Sequence, residues 1–151
     1  MKSLKLGVIG IDHGHIFDML DEMLKEGCAC DYFWTEGDPL TLNEFNKKYP
    51  KIKRKENKEE ILNDPSIDMI LISSIPKNRA DNSIEALKAG KDVMVDKPGC
   101  TTLDQLNQIK QTVKETGKIW SVNFSERFHV AAVAKAEELV KKGKIGKVKQ
   151  T

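Results

Sequence analysis

Short apolar runs alternate along the chain with stretches whose apolar residues recur at helical spacing. The runs predict strands at about residues 4–11, 28–35, 51–55, 67–73, 92–96 and 119–123, of which 51–55 is a short, exposed edge strand. The helical spacing predicts helices at about residues 15–25, 41–49, 57–63, 78–89, 102–116 and 130–142. Strands that alternate with helices in this way form βαβ units. The pattern therefore predicts a doubly wound α/β fold, with a mostly parallel sheet of about six strands and helices on both faces.

Residues that favour helix ends stand where the periodic stretches begin and stop. Gly27, Gly90 and Gly117 follow three of the predicted helices, where a left-handed glycine commonly ends a helix. Thr41, with Glu44 three residues later, predicts a capping box at the start of the second helix. The local turn chemistry therefore agrees with the boundaries that the hydrophobic pattern gives.

Composition narrows the class of protein. A chain of 151 residues suits one compact domain, and 25 Lys and Arg against 23 Asp and Glu leave a net charge of +2. This balance predicts neither a nucleic-acid nor a membrane partner, and no apolar run approaches the ~20 residues of a membrane span. The first residues lack the apolar core of a secretion signal, and the three cysteines form no CxxC pair. We therefore expect a reduced, cytoplasmic protein.

The loop after the first predicted strand is a candidate phosphate-binding loop. Its residues are Gly10, Ile11, Asp12, His13, Gly14 and His15. A dinucleotide-binding turn has the pattern G-x-G-x-x-G, and here Gly10 takes the first position while Asp12 and His15 take the second and third. Asp12 adds a negative charge where phosphates would approach. Two interpretations stay open: a dinucleotide-binding loop, or a tight strand-to-helix turn in which Asp12 caps the helix.

Glu36 is the candidate ribose-binding residue. It follows the second predicted strand, 21 residues beyond His15, and a carboxylate that binds the adenosine ribose is expected about 20 residues past the loop. The alternative is a solvated carboxylate in a turn. A carboxylate here favours NAD over NADP, because it would repel the 2′-phosphate.

Histidines and cysteines suggest two further kinds of chemistry, neither of which we expect. His13 and His15 could hold a metal together with Asp12, but the chain has only one other histidine, so a site with three ligands would need carboxylates. Cys28 and Cys30 lie on one face of a strand, where small buried side chains explain them better than redox chemistry.

Lys97 stands where the fifth predicted strand ends, between Asp96 and Pro98. In open α/β sheets the ligand lies outside the carboxyl ends of the strands, so Lys97 would face the binding crevice. A lysine there can hold a substrate oxygen by charge-assisted hydrogen bonds. Asp96 could orient the ammonium group or cap the loop. The alternative for Lys97 is an ordinary surface lysine.

Taken together, these segments resemble the Gfo/Idh/MocA oxidoreductases. The resemblance rests on KLGVIG near the start, the carboxylate after the second strand, and AGKDVMVDKP, whose DKP stands where the family usually has E-K-P. Residues 122–129 (VNFSERFH) resemble the family's sixth strand and the turn after it, and residues 141–146 resemble the passage into a second domain. Asp12 and His15 depart from the family by replacing small residues. Arg79 and Ala80 stand where the family commonly has a histidine.

The resemblance implies an N-terminal Rossmann domain at residues 1–125, which binds NAD or, as the less favoured cofactor, NADP. Residues 126–151 would be a linking helix and the start of a second, substrate-binding domain. Lys97 would contact substrate and nicotinamide and assist proton movement, so it is the expected catalytic residue. The residues expected at the cofactor are Gly10, Ile11, Asp12, His13, Gly14, His15, Glu36, Ser73, Ser74, Pro76, Asp96, Lys97, Asn123 and Arg127.

The function implied is hydride transfer between the nicotinamide and a hydroxyl or carbonyl carbon of a sugar, inositol or related polyol. The strand-like residues 147–151 have nothing after them to pair with, so we expect a domain cut from a longer protein. The whole enzyme would be a homo-oligomer, whereas this piece would be a monomer without turnover. The alternative is a non-catalytic module that senses a nucleotide or binds a partner while keeping the Rossmann fold. A purely structural α/β domain ranks last.

Overall fold

The computed structural model describes residues 3–124 and 130–147. Its six strands are β1 (Lys5–Ile9), β2 (Ala29–Trp34), β3 (Lys53–Arg54), β4 (Met69–Ile72), β5 (Asp92–Asp96) and β6 (Trp120–Asn123). Its helices are α1 (His15–Lys25), α2 (Leu42–Lys48), α3 (Glu59–Leu62), α4 (Pro76–Lys88), α5 (Leu103–Thr116) and α6 (Ala131–Lys141). Arg127 and nearly all of the strand-like piece at 147–151 lie outside the described residues.

All six strands belong to one parallel sheet in the order β3-β2-β1-β4-β5-β6. This arrangement confirms the predicted doubly wound α/β fold. The strand order reverses between β1 and β4, and such a switch point opens a crevice at the carboxyl ends of the strands. Among the described helices, none is long and apolar enough to cross a membrane.

Two apolar cores lie on opposite faces of the sheet, because successive strand residues point to opposite sides. On β4, Leu71 packs into one core with residues of α1 and α2, such as Leu20 and Phe45. Ile70 and Ile72 pack into the other core, with residues of α3 and α4. The helices therefore cover both faces, as the pattern of apolar runs predicted.

Gly10 brings the end of β1 close to the residues that follow β4. Its φ is +76°, and a Cβ on it would lie 2.5 Å from the Cβ of Ser74. The Gly10 amide donates to the carbonyl of Trp34 at 2.8 Å, and its carbonyl accepts the Ser73 amide at 3.2 Å. Only glycine fits both the left-handed backbone conformation and the narrow space beside Ser74. Gly10 therefore allows the chain to turn away from β1 at the switch point.

Three local predictions were wrong in detail. Thr41 precedes α2 but makes no capping hydrogen bond, because its hydroxyl donates to the carbonyl of Ile11 instead. The N-cap of α1 is Gly14 with no side-chain cap, so the interpretation of Asp12 as the cap fails. Helix α4 begins at Pro76, two residues before the predicted start, because proline is well suited to the first turn of a helix.

Candidate functional site

A cavity of about 520 Å³ opens at the carboxyl end of the sheet, beside the switch point. It lies between the loop after β1, the end of β2 and one face of α4. The residues that line it are Gly10, Asp12, Trp34, Glu36, Lys58, Ser74, Ile75, Asn78, Asp81, Asn82 and Glu85. The fold thus brings together three groups that the sequence singled out separately: the loop, Glu36 and the residues after β4.

Glu36 lies at the cavity, where it accepts a hydrogen bond from the Asn78 side-chain amide at 3.4 Å. The side chain is exposed, so its carboxylate stays free to accept further hydrogen bonds. Trp34, two residues earlier, also lines the cavity and donates its indole N–H to the Glu56 carbonyl at 3.2 Å. A flat aromatic surface and an accessible carboxylate are groups that can hold a nucleoside.

Asp12 puts a second carboxylate in the same cavity. Burial raises the pKa of Asp12 above its ordinary value, and the nearby Glu36 carboxylate adds to the rise, while Arg79 opposes it. The ionised form of Asp12 is therefore less favoured than the ionised form of an exposed aspartate. An anionic ligand that came close to Asp12 would disfavour it further.

A polar stripe on α4 was missed by the sequence analysis. Asn78, Asp81, Asn82 and Glu85 follow the i, i+3, i+4, i+7 spacing that puts residues on one helical face, and all four line the cavity. Lys58 forms an ion pair with Glu85 across the cavity. This stripe could have been found in the sequence, because polar residues at helical spacing indicate one face of a helix just as apolar residues do.

Ser73 and Ile11, both predicted at the cofactor, serve the structure of the loop. The Ser73 side chain is fully buried, and its hydroxyl donates to the carbonyl of His13 at 3.2 Å. The Ser73 carbonyl in turn accepts the His13 amide, also at 3.2 Å. The Ile11 side chain is fully buried in the core. Both residues hold the loop in place, and Ser74 is the serine that reaches the cavity.

A second polar centre surrounds the fully buried side chain of Asp96, at the end of β5. The Arg79 Nη2 atom lies 2.9 Å from Asp96 Oδ2, and the His15 Nδ1 atom lies 2.8 Å from Asp96 Oδ1. His13 Nδ1 lies 3.2 Å from Oδ2. The Arg79 side chain is also fully buried. A buried carboxylate surrounded by three nitrogen-bearing side chains lies directly before the candidate catalytic residue Lys97.

Arg79 is the main residue of this centre that sequence reasoning missed as a site residue. Beyond the carboxylate, it donates to the backbone carbonyls of Ser74 at 2.7 Å and Asp96 at 3.1 Å, and to those of Lys97 and Pro98. It therefore joins the turn before α4 to the loop after β5. Burial lowers the pKa of the guanidinium, and the Asp96 carboxylate opposes that shift.

Asn123 and Lys97, two further predicted residues, lie at the same edge of the sheet. Asn123 ends β6 and stands opposite Asp96 in the register of the two strands. Lys97 follows β5, half-buried, and its peptide bond to Pro98 is cis. The carboxyl ends of β1, β4, β5 and β6 thus present one continuous polar edge.

The sequence of this chain matches a known protein family. A family model described as the NAD-binding Rossmann fold of an oxidoreductase family, Gfo/Idh/MocA, matches residues 43–124, more than half of the chain. The chain belongs to the Gfo/Idh/MocA oxidoreductase family. It is an NAD(P)-binding domain of that family, with the fold that the resemblance implied.

Relatives within the Gfo/Idh/MocA family differ in cofactor. The scyllo-inositol 2-dehydrogenase (NAD(+)) of Bacillus subtilis is 34% identical over 113 residues, which cover 74% of this chain and 33% of that enzyme. The scyllo-inositol 2-dehydrogenase (NADP(+)) IolW of the same bacterium is 24% identical over 132 residues, covering 83% of this chain and 34% of that enzyme. The chain spans about a third of the length of these curated relatives.

A solved structure agrees with the fold over almost the whole chain. The crystal structure of an Erwinia carotovora atroseptica protein, assigned as an oxidoreductase, superposes with a TM-score of 0.89 at 34% identity. The match covers 97% of this chain and 44% of that one. The Gfo/Idh/MocA domain described here therefore has the same backbone fold as that protein.

The side chains of the site fit the adenosine ribose of a dinucleotide better than its pyrophosphate. The cavity beside Glu36 has the carboxylate that a ribose needs, and Gly10 lets the loop leave β1 without a side chain in the way. Gly14 puts no side chain at the start of α1, so an anion can approach the first turn, where the Ile16 and Phe17 amides donate to the carbonyls of His13 and Gly14. Asp12 opposes the pyrophosphate by its charge. The residues therefore fit the cofactor, and the unfavourable groups are carboxylates, with Asp12 in the phosphate-binding loop itself.

Proposed function

We propose that this domain binds NAD in preference to NADP and serves an oxidoreductase that acts on a sugar, inositol or related polyol. The observation that carries the proposal is the cavity at the switch point, which unites Gly10, Glu36 and the residues after β4. Glu36 would accept hydrogen bonds from the adenosine ribose and repel a 2′-phosphate. The NAD-dependent relative from Bacillus subtilis supports this choice, although its NADP-dependent counterpart is also similar.

Residues 10–15 would cradle the pyrophosphate, with Ser74 and Pro76 beside it, and residues 1–125 would form the complete cofactor domain. Residues 126–151 would lead toward a substrate domain, and the part of the relatives' length that this chain does not span supports that division. Asp96, Asn123 and Arg127 would border the nicotinamide side. When bound, the nicotinamide accepts or supplies the hydride.

Lys97 would act on the substrate oxygen. In oxidation, the substrate carbon would give a hydride to the bound cofactor, and the hydroxyl proton would pass to the Lys97 amine, which becomes the ammonium. The Lys97 ammonium would hold that oxygen by a charge-assisted hydrogen bond and stabilise the negative charge that develops on it. The same group would donate toward the carbonyl oxygen in the reverse direction.

The test is a titration of this chain with NADH and NADPH by calorimetry and by quenching of Trp34. We expect NADH to bind at micromolar concentration and at least tenfold more tightly than NADPH, a ratio that corresponds to about 1.4 kcal/mol. Glu36→Gln should bring the ratio close to one. Trp34→Phe is the optical control, because Trp120 is the chain's other tryptophan. Equal affinities for the two cofactors in the wild type would refute the role of Glu36.

Asp12 favours a second candidate function, a module that senses a nucleotide without catalysis. The discriminating variant is Lys97→Ala in the full-length protein. For an enzyme we expect turnover to be abolished while NADH affinity changes little, whereas a sensor would have no turnover in the wild type. Undiminished turnover of the Lys97→Ala variant would contradict the assignment of Lys97 as the catalytic residue.

A further inference from the structure

The side chains of His13, His15 and Asp96 converge at the polar edge of the sheet. One ligand-type atom from each lies within 4.8 Å of the other two. His15 Nδ1 is 2.8 Å from Asp96 Oδ1, and His13 Nδ1 is 3.2 Å from Asp96 Oδ2. The carboxylate is fully buried, whereas the His13 and His15 side chains are 52% and 24% exposed. The cluster is thus anchored in the protein and open on one side.

The fold holds these three residues in place by elements far apart in the sequence. His13 is fixed to β4 by two hydrogen bonds with Ser73, and His15 is the first residue of α1. Asp96 is the last residue of β5, which pairs with the other side of β4. The loop after β1 therefore reaches across the end of β4, and both imidazoles face the carboxylate without any rearrangement of the backbone.

Asp96 is itself oriented by a buried partner. Arg79 Nη2 binds Oδ2 at 2.9 Å, which fixes the carboxylate plane and leaves Oδ1 directed at His15. Carboxylates that bind metals are commonly held by such a second hydrogen bond. The Arg79 charge also reduces the attraction of the cluster for a cation, so we expect moderate affinity.

His13 Nδ1 has two close polar neighbours. Asp96 Oδ2 lies 3.2 Å from it, and the backbone nitrogen of His15 lies 3.4 Å from it. In the tautomer that has its proton on Nε2, Nδ1 offers a lone pair on the side of the carboxylate. A cation between Nδ1 and Asp96 Oδ2 would then be bound by both atoms.

We propose that His13, His15 and Asp96 bind a divalent transition-metal ion of the Zn²⁺ class. Ligand atoms around a tetrahedral Zn²⁺ lie roughly 3.3 Å apart, given Zn–N distances of about 2.0–2.1 Å. The two nitrogen–oxygen separations are 2.8 and 3.2 Å, and all three ligand atoms lie within 4.8 Å of one another. Two imidazole nitrogens and one carboxylate oxygen leave the fourth position open, as in catalytic zinc sites. That position would take water or an oxygen of a bound molecule, one residue away from Lys97.

The sequence predicted no metal, because it offered the two histidines only Asp12 as a neighbour. The structure supplies Asp96 instead, 81 residues beyond His15 in the chain. The proposal does not depend on the dinucleotide, since it concerns a metal ion and residues of this chain alone.

The test is metal binding by the full chain after it is stripped with a chelator and dialysed. Calorimetric titration with Zn²⁺ should give one site in the micromolar range or tighter, and Co²⁺ should give the absorption of a four-coordinate ion without bands from thiolate ligands. With ¹⁵N-labelled histidine, Zn²⁺ should shift the Nδ1 resonances of two of the three histidines. His13→Gln and His15→Gln should each lower the affinity about tenfold or more, since even residues that only support a ligand contribute 10–100-fold.

The matched control is the double variant Cys28→Ser, Cys30→Ser, which removes competing zinc ligands at the opposite edge of the sheet and should leave the affinity unchanged. Asp96→Asn is not used, because it would leave the buried Arg79 charge unpaired. Thermal unfolding verifies that the histidine variants fold, and Zn²⁺ should raise the Tm of the wild type and of the cysteine variant by more than the Tm of either histidine variant.

Millimolar or weaker Zn²⁺ binding by the wild type would overturn the proposal. So would full affinity in the variant that lacks both His13 and His15, or a ring shift confined to His129. NADH titrations carried out with chelator present report on the proposed cofactor function separately, so the failure of one proposal is distinguishable from the failure of the other.

Discussion

Arg79 and Asp96 form a buried ion pair on which the geometry of the site depends. The guanidinium reaches backbone carbonyls on both sides of the crevice, and the carboxylate faces both histidines of the loop. Removing one partner of a buried pair leaves an uncompensated charge in the interior, which is a larger penalty than the loss of the attraction itself.

We expect Arg79→Ala to lower the free energy of unfolding by about 3–5 kcal/mol, as measured by urea denaturation. Arg54 offers a matched control, because it pairs with the exposed Asp38 at the surface. Arg54→Ala should cost less than about 1 kcal/mol. If the two variants were equally stable, the buried pair would have no special role in stability.

Asp12 should make cofactor affinity depend on pH. Its pKa is raised by burial and by Glu36, so the protonated form persists at pH values where an exposed aspartate is ionised. A bound pyrophosphate would raise this pKa further, and binding would therefore take up a proton. Affinity for NAD⁺ should rise as the pH falls from about 8 to about 5.

Asp12→Asn isolates this contribution, because it removes the charge of Asp12 and leaves the other ionisable groups of the loop unchanged. The variant should bind NAD⁺ more tightly than the wild type at the upper pH, and the difference should shrink toward the lower pH. Parallel pH profiles for the two proteins, measured by calorimetry, would show that Asp12 does not meet the phosphates.

At the scale of the elements, the turn from β1 to α1 contains two glycines with different roles. Gly10 has a left-handed backbone and touches Ser74, whereas Gly14 is helical, with φ −61°, and a Cβ there would meet nothing within 4 Å. Gly10→Ala should therefore destabilise the domain by about 1–2 kcal/mol from the backbone alone and weaken NADH binding.

Gly14→Ala is the matched control, and its expected effect on stability is below about 1 kcal/mol. Chemical denaturation and the NADH titration are measured on both variants. Similar losses in the two would mean that the loop is sensitive to any side chain, and that the close approach to Ser74 is not the cause.

The same elements explain how far the sequence could be interpreted. Helix α5 was predicted well, because Thr102 and Gln105 form a local capping box and Gly117 ends the helix with a left-handed backbone. The box at Thr41 failed, because the hydroxyl found the carbonyl of Ile11, 30 residues away. Local hydrogen bonds can be predicted from spacing, but a competing partner that the fold brings in from a distance cannot.

The candidate site shows the same division. Lys97 and Glu36 could be proposed because each stands directly after a strand, and a parallel sheet gathers such positions at one edge. Glu36 lines the cavity, and its partner Asn78 on α4 was not among the predicted site residues. Arg79 was noted only as a departure from the family. Its buried contact with Asp96 joins α4 to β5 and has no signal in the spacing of either residue.

For the molecule as a whole, the hydrophobic pattern sufficed to predict the parallel sheet, but the sign of the charge in its crevice depends on the assembled structure. The net charge is only +2, yet the cavity is lined by four carboxylates, Asp12, Glu36, Asp81 and Glu85, and, among its described residues, one ammonium group, that of Lys58. An anionic cofactor therefore meets local repulsion that the composition does not reveal.

Added salt should consequently strengthen NADH binding, the reverse of the usual behaviour of phosphate sites. Between low and physiological ionic strength the Debye length falls from ~30 Å to ~8 Å, which screens this repulsion. We expect the affinity to rise two- to threefold, roughly, over that range. Calorimetric titrations at several NaCl concentrations measure this slope, and a steep loss of affinity with salt would contradict the repulsion.

The contact between Arg79 and Asp96 also has a consequence for the evolution of the family. The resemblance to the family implies a glutamate before the Lys-Pro pair and a histidine near position 79, whereas this chain has Asp96 and Arg79 there. Because each would be a buried, unpaired charge without the other, a lineage that changed one position would soon lose it or change the second. Positions 79 and 96 should therefore covary, and an arginine together with an aspartate should mark the branch of relatives whose crevice is built like this one.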